Sequence, residues 1–123
     1  TPAGLPLSER LLEIANDLEA YIQETAPDLV VIEKLYFATN QKTAIDVAQA
    51  LGVIVHTVAN RHIPIIEPTP LQLKSTITGD GQADKKQMQE MLKMMLQLEE
   101  IPQPDDAADA LGLAIYGAIT NQY

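Results

Sequence analysis

Two short apolar segments on either side of a helical segment restrict the fold of this chain more than any other sequence feature. The first, residues 29–32, is a run of Leu, Val, Val and Ile without polar alternation, which predicts a strand buried on both faces. The second covers residues 64–66, and between them apolar residues recur at helical spacing over about 43–61. Strand, crossover helix and strand form a βαβ unit with parallel strands, so an α/β fold is expected.

Further helices are predicted before and after this unit. The first extends from a candidate N-cap at Ser8 to about Ala26. Three more are expected near residues 70–77, 84–98 and 105–120, with a TGDG turn before the second of them. Two strands cannot cover so many helices or protect their own edges. The sequence therefore predicts either pairing with another chain or further strands on the N-terminal side.

Length and composition limit the class of protein. A chain of 123 residues fits one domain, and a hydrophobic content of 46% supplies a packed core. No apolar stretch is long enough to span a bilayer and no signal peptide is recognisable, so a soluble, cytoplasmic protein without a membrane partner is expected. The net charge of −9 disfavours nucleic acid at long range. However, the lysines cluster in one later segment, at Lys74, Lys85, Lys86 and Lys93.

Three carboxylates are candidate metal ligands. Glu33 directly follows the first apolar segment, and ligands of open α/β sheets bind beyond the carboxyl ends of strands. Asp106 and Asp109 are spaced i, i+3, so both leave one face of the last predicted helix. Hard oxygen ligands suit Mg²⁺, and a pair of such ions can activate water and stabilise the leaving oxygen in phosphodiester cleavage. The alternative is that Asp105 and Asp106 only cap the helix and that Asp109 is solvated.

Four segments resemble, in order and at similar spacing, the RuvC family of Holliday-junction resolvases: VVIEKLYFATN, TAIDVAQALGV, LQLKSTITGDGQADKKQMQEML and PQPDDAADALGLAI. The resemblance covers essentially the whole chain, and its most specific parts are IE-x-x-aromatic-x-x-x-N, K-x-x-x-T-G-x-G-x-A-x-K and DAADAL. It implies a ribonuclease-H-like three-layer α/β sandwich. It also implies a homodimer that nicks four-way junction DNA with Mg²⁺ or Mn²⁺, with a pair of ions in each active site.

The resemblance assigns roles to individual residues. The implied catalytic set consists of three metal-binding carboxylates and one lysine: Glu33, Asp106, Asp109 and Lys85. Lys74 and Lys85 match family lysines near the scissile phosphate, where a cation offsets transition-state charge, and Lys86 is expected to be another phosphate contact. Tyr36, or Phe37 if the alignment slips by one, would stack on bases at the junction centre. Ordinary core packing is the alternative for both aromatic residues.

One part of the family pattern is not found in this sequence. These resolvases begin with a hydrophobic strand whose Gly-Asp-Pro-Gly-like motif supplies the first metal-binding Asp, and antiparallel strands follow it. No such motif precedes the first predicted helix. We therefore expect residues 1–123 to form a single, N-terminally truncated nuclease domain that binds metal poorly and does not cut DNA on its own.

The expected function is that of a structure-selective endonuclease. It would resolve Holliday junctions by metal-dependent phosphodiester hydrolysis in DNA recombination and repair, with a branch-migration helicase complex as a further partner. Two alternatives stay open. One is a related ribonuclease-H-like nuclease that acts on RNA or other branched DNA, and the other is a non-catalytic DNA-binding or dimerisation module.

Overall fold

The computed structural model describes residues 4–34 and 41–121. In chain order its elements are α1 (Leu7–Thr25), β1 (Val30–Val31), α2 (Gln41–Asn60), β2 (Ile65–Ile66), α3 (Pro70–Thr78), α4 (Lys85–Met95) and α5 (Asp105–Thr120). The predicted alternation of helices and strands is confirmed, and the elements come in the expected order. The candidate base-stacking residues Tyr36 and Phe37 lie outside the described residues.

The two strands are parallel. Three backbone N–H groups donate to carbonyls of the other strand segment, from Val30 to Pro64 at 3.0 Å, from Ile32 to Ile66 at 3.0 Å and from Lys34 to Pro68 at 2.7 Å. Donor and acceptor numbers increase together, which is the pattern of a parallel pair in constant register. Both strands are two residues long and half-buried, so the predicted burial on both faces is only partly realised within the described residues.

The chain divides into two compact units. The first consists of Thr1–Val30 and Tyr36–Ile65. Within it α1 packs on α2, and Arg61 donates a hydrogen bond from Nε to Glu19 at 2.7 Å. The division does not test the prediction of a single nuclease domain, which stays a prediction.

The second unit consists of Val31–Leu35 and Ile66–Tyr123 and contains every described candidate site residue. Its three helices α3, α4 and α5 pack on one another. Leu73, Ile77 and Leu92 form the buried centre, against which Met88 and Leu113 pack, among others. This core fixes the spacing and rotation of the helices that carry the lysines and aspartates.

Capping boxes determine where α3 and α4 begin. The Thr69 hydroxyl accepts a hydrogen bond from the backbone N–H of Gln72, whose side chain accepts one from the Thr69 N–H. Asp84 and Gln87 form the same reciprocal pair at the start of α4, with both bonds 2.8 Å long. Each pair satisfies two of the N–H groups that a helix start leaves without partners. As a result, Lys85 is the first residue of α4.

Two predicted helix boundaries are wrong. Ser8 is not an N-cap, because α1 begins at Leu7 and the Pro6 carbonyl accepts the first N–H groups. The fourth helix ends at Met95 and not at Leu98, since Gln97 has a positive φ of 54° that breaks the helical path. The last helix begins at Asp105 as predicted, and because Pro104 occupies the capping position, the alternative that Asp105 caps this helix does not hold. None of the helices in the described ranges is long and apolar enough to cross a bilayer.

Candidate functional site

A cavity of about 250 Å³ lies within the second unit. Its polar lining combines two carboxylates, two ammonium groups and one amide: Glu33, Asp109, Lys74, Lys85 and Gln89. Apolar residues form the rest of the wall, including Leu73, Met88, Leu92 and Ala108. Charged groups of both signs therefore face one small space that is backed by the hydrophobic core.

The extended segment after β1 presents Glu33 to this cavity. Ile32 and Lys34, on either side of Glu33, both donate their backbone N–H groups to the neighbouring segment. These bonds hold the backbone extended through Glu33, which is half-buried. The location matches the expectation that a carboxylate at the carboxyl end of a strand faces a ligand site.

Three helices contribute residues to the cavity. Pro70 is the first residue of α3, Lys85 is the first residue of α4, and Asp109 lies in the second turn of α5. Backbone N–H groups without partners give a helix N-terminus partial positive charge. This charge favours the acidic residues at the helix starts, which are Asp84 before α4 and Asp105 and Asp106 in the first turn of α5.

Lys85 forms an ion pair with Asp105. Its Nζ lies 3.0 Å from an Asp105 carboxylate oxygen, and the two side chains are 55% and 60% exposed. The hydrogen bond to Asp105 raises the pKa of Lys85 above its usual value, desolvation lowers it, and the charges of Asp105, Asp109 and Asp106 raise it further. Lys85 is therefore an ammonium group throughout the neutral pH range, which suits it to bind phosphate and not to act as a base.

The cavity brings together only part of the predicted ligand set. Glu33 and Asp109 both line it, whereas Asp106 is not among its lining residues, and both aspartates are exposed. Within the described ranges, no three His, Cys, Asp or Glu side chains are grouped closely enough to hold a metal ion. Two hard-oxygen ligands at one cavity fit part of the coordination shell of a divalent cation. The assignment of Asp106 as a third ligand stays a prediction.

Lys86 does not line the small cavity, although the preceding residue, Lys85, does. It is exposed and lines a separate cavity of about 660 Å³ beside α4, together with Asp80, Glu90 and Lys93. The predicted cluster of lysines is thus divided, with Lys74 and Lys85 at the smaller cavity. The role of Lys86 as a phosphate contact stays a prediction.

One polar residue and one ion pair near the site were not predicted. Gln89 lines the small cavity and follows Lys85 by one helical turn, so i, i+4 spacing could have placed it there. Asp105 pairs with Lys85 from a different helix. No local sequence pattern reports such a pair, because it depends on how two helices pack.

Comparison with known proteins identifies the family. The profile of the family described as "Crossover junction endodeoxyribonuclease RuvC" matches residues 1–117. RuvC of Desulfitobacterium hafniense is 50% identical over 115 residues, which are 94% of this chain and 70% of that protein. RuvC of Chloroflexus aurantiacus is 49% identical over 120 residues, which are 98% of this chain and 73% of that protein.

Solved structures give the same result. Thermus thermophilus RuvC superposes with a TM-score of 0.87 at 28% identity, covering 98% of this chain and 73% of that one. The T. thermophilus protein in complex with Holliday junction substrate gives 0.85 at 29% identity, covering 96% and 72%. The predicted family and fold class are thereby confirmed. This chain belongs to the RuvC family of crossover junction endodeoxyribonucleases, which are metal-dependent nucleases with a ribonuclease-H-like α/β fold.

Proposed function

We propose that this protein resolves Holliday junctions in DNA recombination and repair, by hydrolysing phosphodiester bonds of four-way junction DNA. The observation that carries the proposal is the small cavity, where Glu33 and Asp109 face Lys74 and Lys85. Carboxylates that bind metal and cations that bind phosphate are the groups that phosphodiester hydrolysis requires at one place. The relatives named RuvC, and the solved structure of one with junction substrate, support the choice of substrate.

The carboxylates are proposed to hold the metal. Glu33 and Asp109 would bind Mg²⁺, or Mn²⁺ in its place, and Asp106 would contribute from the adjacent turn of α5. We propose a pair of ions in each site. When bound, such ions lower the pKa of a bound water and stabilise the leaving oxygen. The protein's own contribution is to place Glu33 on the extended segment and Asp109 on a packed helix. The backbones that carry the two carboxylates are therefore in position before substrate arrives.

The lysines are proposed to bind the scissile strand. Lys85 stays protonated at neutral pH, because its pKa is raised. Lys74 is half-buried on α3, so the position of Lys74 depends on the core. Together the two lysines offset the charge of a phosphate in a chain whose net charge is −9. Lys86 would be a further phosphate contact outside the cavity. Local cations thus allow an acidic protein to bind DNA.

Symmetry supports a homodimer as the active form. Paired nicks on a four-way junction require two active sites, and a twofold dimer supplies two identical sites in a fixed arrangement. Tyr36 or Phe37 would stack on bases at the junction centre. A branch-migration helicase complex in the cytoplasm is the proposed further partner.

Cleavage of a synthetic four-way junction tests the proposal. The intact product of the gene that encodes this chain is incubated with labelled junction and Mg²⁺, with linear duplex of the same sequence as the control. We expect symmetric paired nicks in the junction and none in the duplex. Equal cutting of duplex or of an RNA–DNA hybrid would favour the related nuclease instead. Binding without cleavage would favour the non-catalytic module.

A further inference from the structure

The ion pair between Lys85 and Asp105 has no role in the proposed mechanism, although it lies at the edge of the cavity. Lys85 lines the cavity, whereas Asp105 is not among the lining residues. We propose that Asp105 acts through Lys85, as an internal competitor that occupies the ammonium group until a DNA phosphate takes its place. The inference rests on the proposed function, since it requires that Lys85 contacts DNA.

The backbones on both sides of the pair are held in place. Lys85 and Asp105 are the first residues of α4 and α5, and these two helices pack on each other. The capping box of Asp84 and Gln87 fixes the start of α4. A lysine side chain is otherwise a flexible four-carbon stem. Its contact with Asp105 at 3.0 Å therefore determines where the charged end lies in the absence of DNA.

Exposure makes the pair exchangeable. Both side chains are more than half exposed, at 55% and 60%, so water and salt screen their attraction. A phosphate oxygen accepts a charge-assisted hydrogen bond from an ammonium group as a carboxylate does. A phosphate brought to the cavity can therefore replace Asp105 as the partner of Lys85. The freed Asp105 then takes up a cation from solution, which partly cancels the ion release that accompanies DNA binding.

Substitution of Asp105 by Asn tests the exchange, because it removes the charge and keeps the shape. Binding of this chain to a fluorescent four-way junction is measured by anisotropy in EDTA, across a series of salt concentrations. We expect Asp105→Asn to bind about 1.5- to 5-fold more tightly, as the loss of one exposed ion pair implies. We also expect the plot of log affinity against log salt to become steeper by less than about 0.9, because the uncharged amide takes up no cation while the number of phosphate contacts stays the same.

Matched variants separate this effect from a general loss of repulsion. Glu100→Gln removes the same charge from an exposed position between α4 and α5. Both substitutions are also made in a Lys85→Gln background, and circular dichroism checks that each variant is folded. The gain from Asp105→Asn should fall to that of Glu100→Gln when Lys85 is replaced. Any gain from Glu100→Gln should be the same in both backgrounds.

The outcomes distinguish failure of this inference from failure of the proposed function. If Asp105→Asn tightens binding equally with and without Lys85, or weakens it, the competition is refuted while junction binding stands. If the folded wild-type chain and all variants fail to bind junction DNA, the inference fails, and the proposed function is decided separately by the cleavage assay on the intact gene product. A gain in affinity and in salt dependence that requires Lys85 supports the exchange.

Discussion

Glu33, after β1, and Asp109, in the second turn of α5, line the same cavity although three described helices separate them in the sequence. The packing of α5 on α3 and α4 brings the second carboxylate to the cavity. Two negative charges that share a small space repel each other unless a cation lies between or beside them. Lys74 and Lys85 supply part of that compensation here, and a bound divalent ion would supply the rest.

Replacement of either carboxylate by its amide should strongly slow junction cleavage. In the intact gene product, Glu33→Gln and Asp109→Asn are each expected to slow Mg²⁺-dependent junction cleavage by on the order of 100-fold or more, because an electrostatic group is lost at the reacting centre. Binding to the junction in EDTA should be retained, since each change preserves shape. Asp17 is an exposed residue of α1, so Asp17→Asn is the matched control and should cleave normally. Near-normal nicking by Glu33→Gln would refute the assignment.

Lys74 is expected to contact DNA phosphate, and Lys93 is not. Both lie on helices of the second unit and are half-buried, but only Lys74 lines the small cavity. Lys74→Gln should reduce the slope of log affinity against log salt by about 0.9, because one fewer counterion is released. Lys93→Gln should leave the slope unchanged. Equal slopes for the two variants would exclude Lys74 from the phosphate-binding set.

Much of the fold follows from local sequence patterns. The apolar segments predicted β1 and β2, and helical spacing predicted α2, since burial of apolar residues decides both. The start of α5 was predicted at Asp105 because prolines precede it. The end of the fourth helix was misplaced, since the apolar pattern continues through Leu96 and Leu98 while the backbone at Gln97 leaves the helix.

The site was less predictable than the fold. Glu33 and Asp109 were predicted, and the structure places both at the cavity. Spacing of i, i+3 also predicted that Asp106 and Asp109 lie on the same face of the helix. However, spacing gives only the angle around the helix axis between the two side chains. It does not say which way the helix is rotated in the packed unit. The pairing of Lys85 with Asp105 depends on the same rotation, and for that reason it was not foreseen.

Asp105 should control the pKa of Lys85. The hydrogen bond to Asp105 is the largest cause of the raised pKa, so Asp105→Asn should lower that pKa toward its ordinary value. NMR titration of labelled lysine side chains measures the change, and Glu100→Gln should leave the Lys85 titration as it is. Because the pKa is higher in the folded state, this interaction stabilises the fold at neutral pH. The stabilisation is lost only as pH rises through the raised pKa. An unchanged Lys85 titration in Asp105→Asn would contradict the pairing of Lys85 with Asp105.

Truncation of Leu92 should destabilise the second unit. Leu92 is 2% exposed, belongs to the buried cluster and also lines the small cavity. Leu92→Ala is expected to lower the free energy of unfolding by about 2–5 kcal/mol, because it removes buried methyl groups and enlarges a cavity. Met94 lies on the same helix but is 67% exposed, so Met94→Ala should change stability by less than about 0.5 kcal/mol. Urea unfolding followed by circular dichroism compares the two, and equal losses would show that Leu92 is not part of a packed core.

Two glycines of the second unit should respond to alanine with opposite sign. Gly79 ends α3 with a φ of +82°, a left-handed conformation that costs a residue with a Cβ atom about 1–2 kcal/mol. Gly112 lies inside α5, where an added Cβ would meet Ile77 and Leu92 at 3.8 Å, which is ordinary contact. Alanine is favoured over glycine in a helix interior by about 0.8–1 kcal/mol. We therefore expect Gly79→Ala to lower the melting temperature and Gly112→Ala to raise it. A lower melting temperature for Gly112→Ala would mean that α5 packs more tightly at this position than the distances indicate.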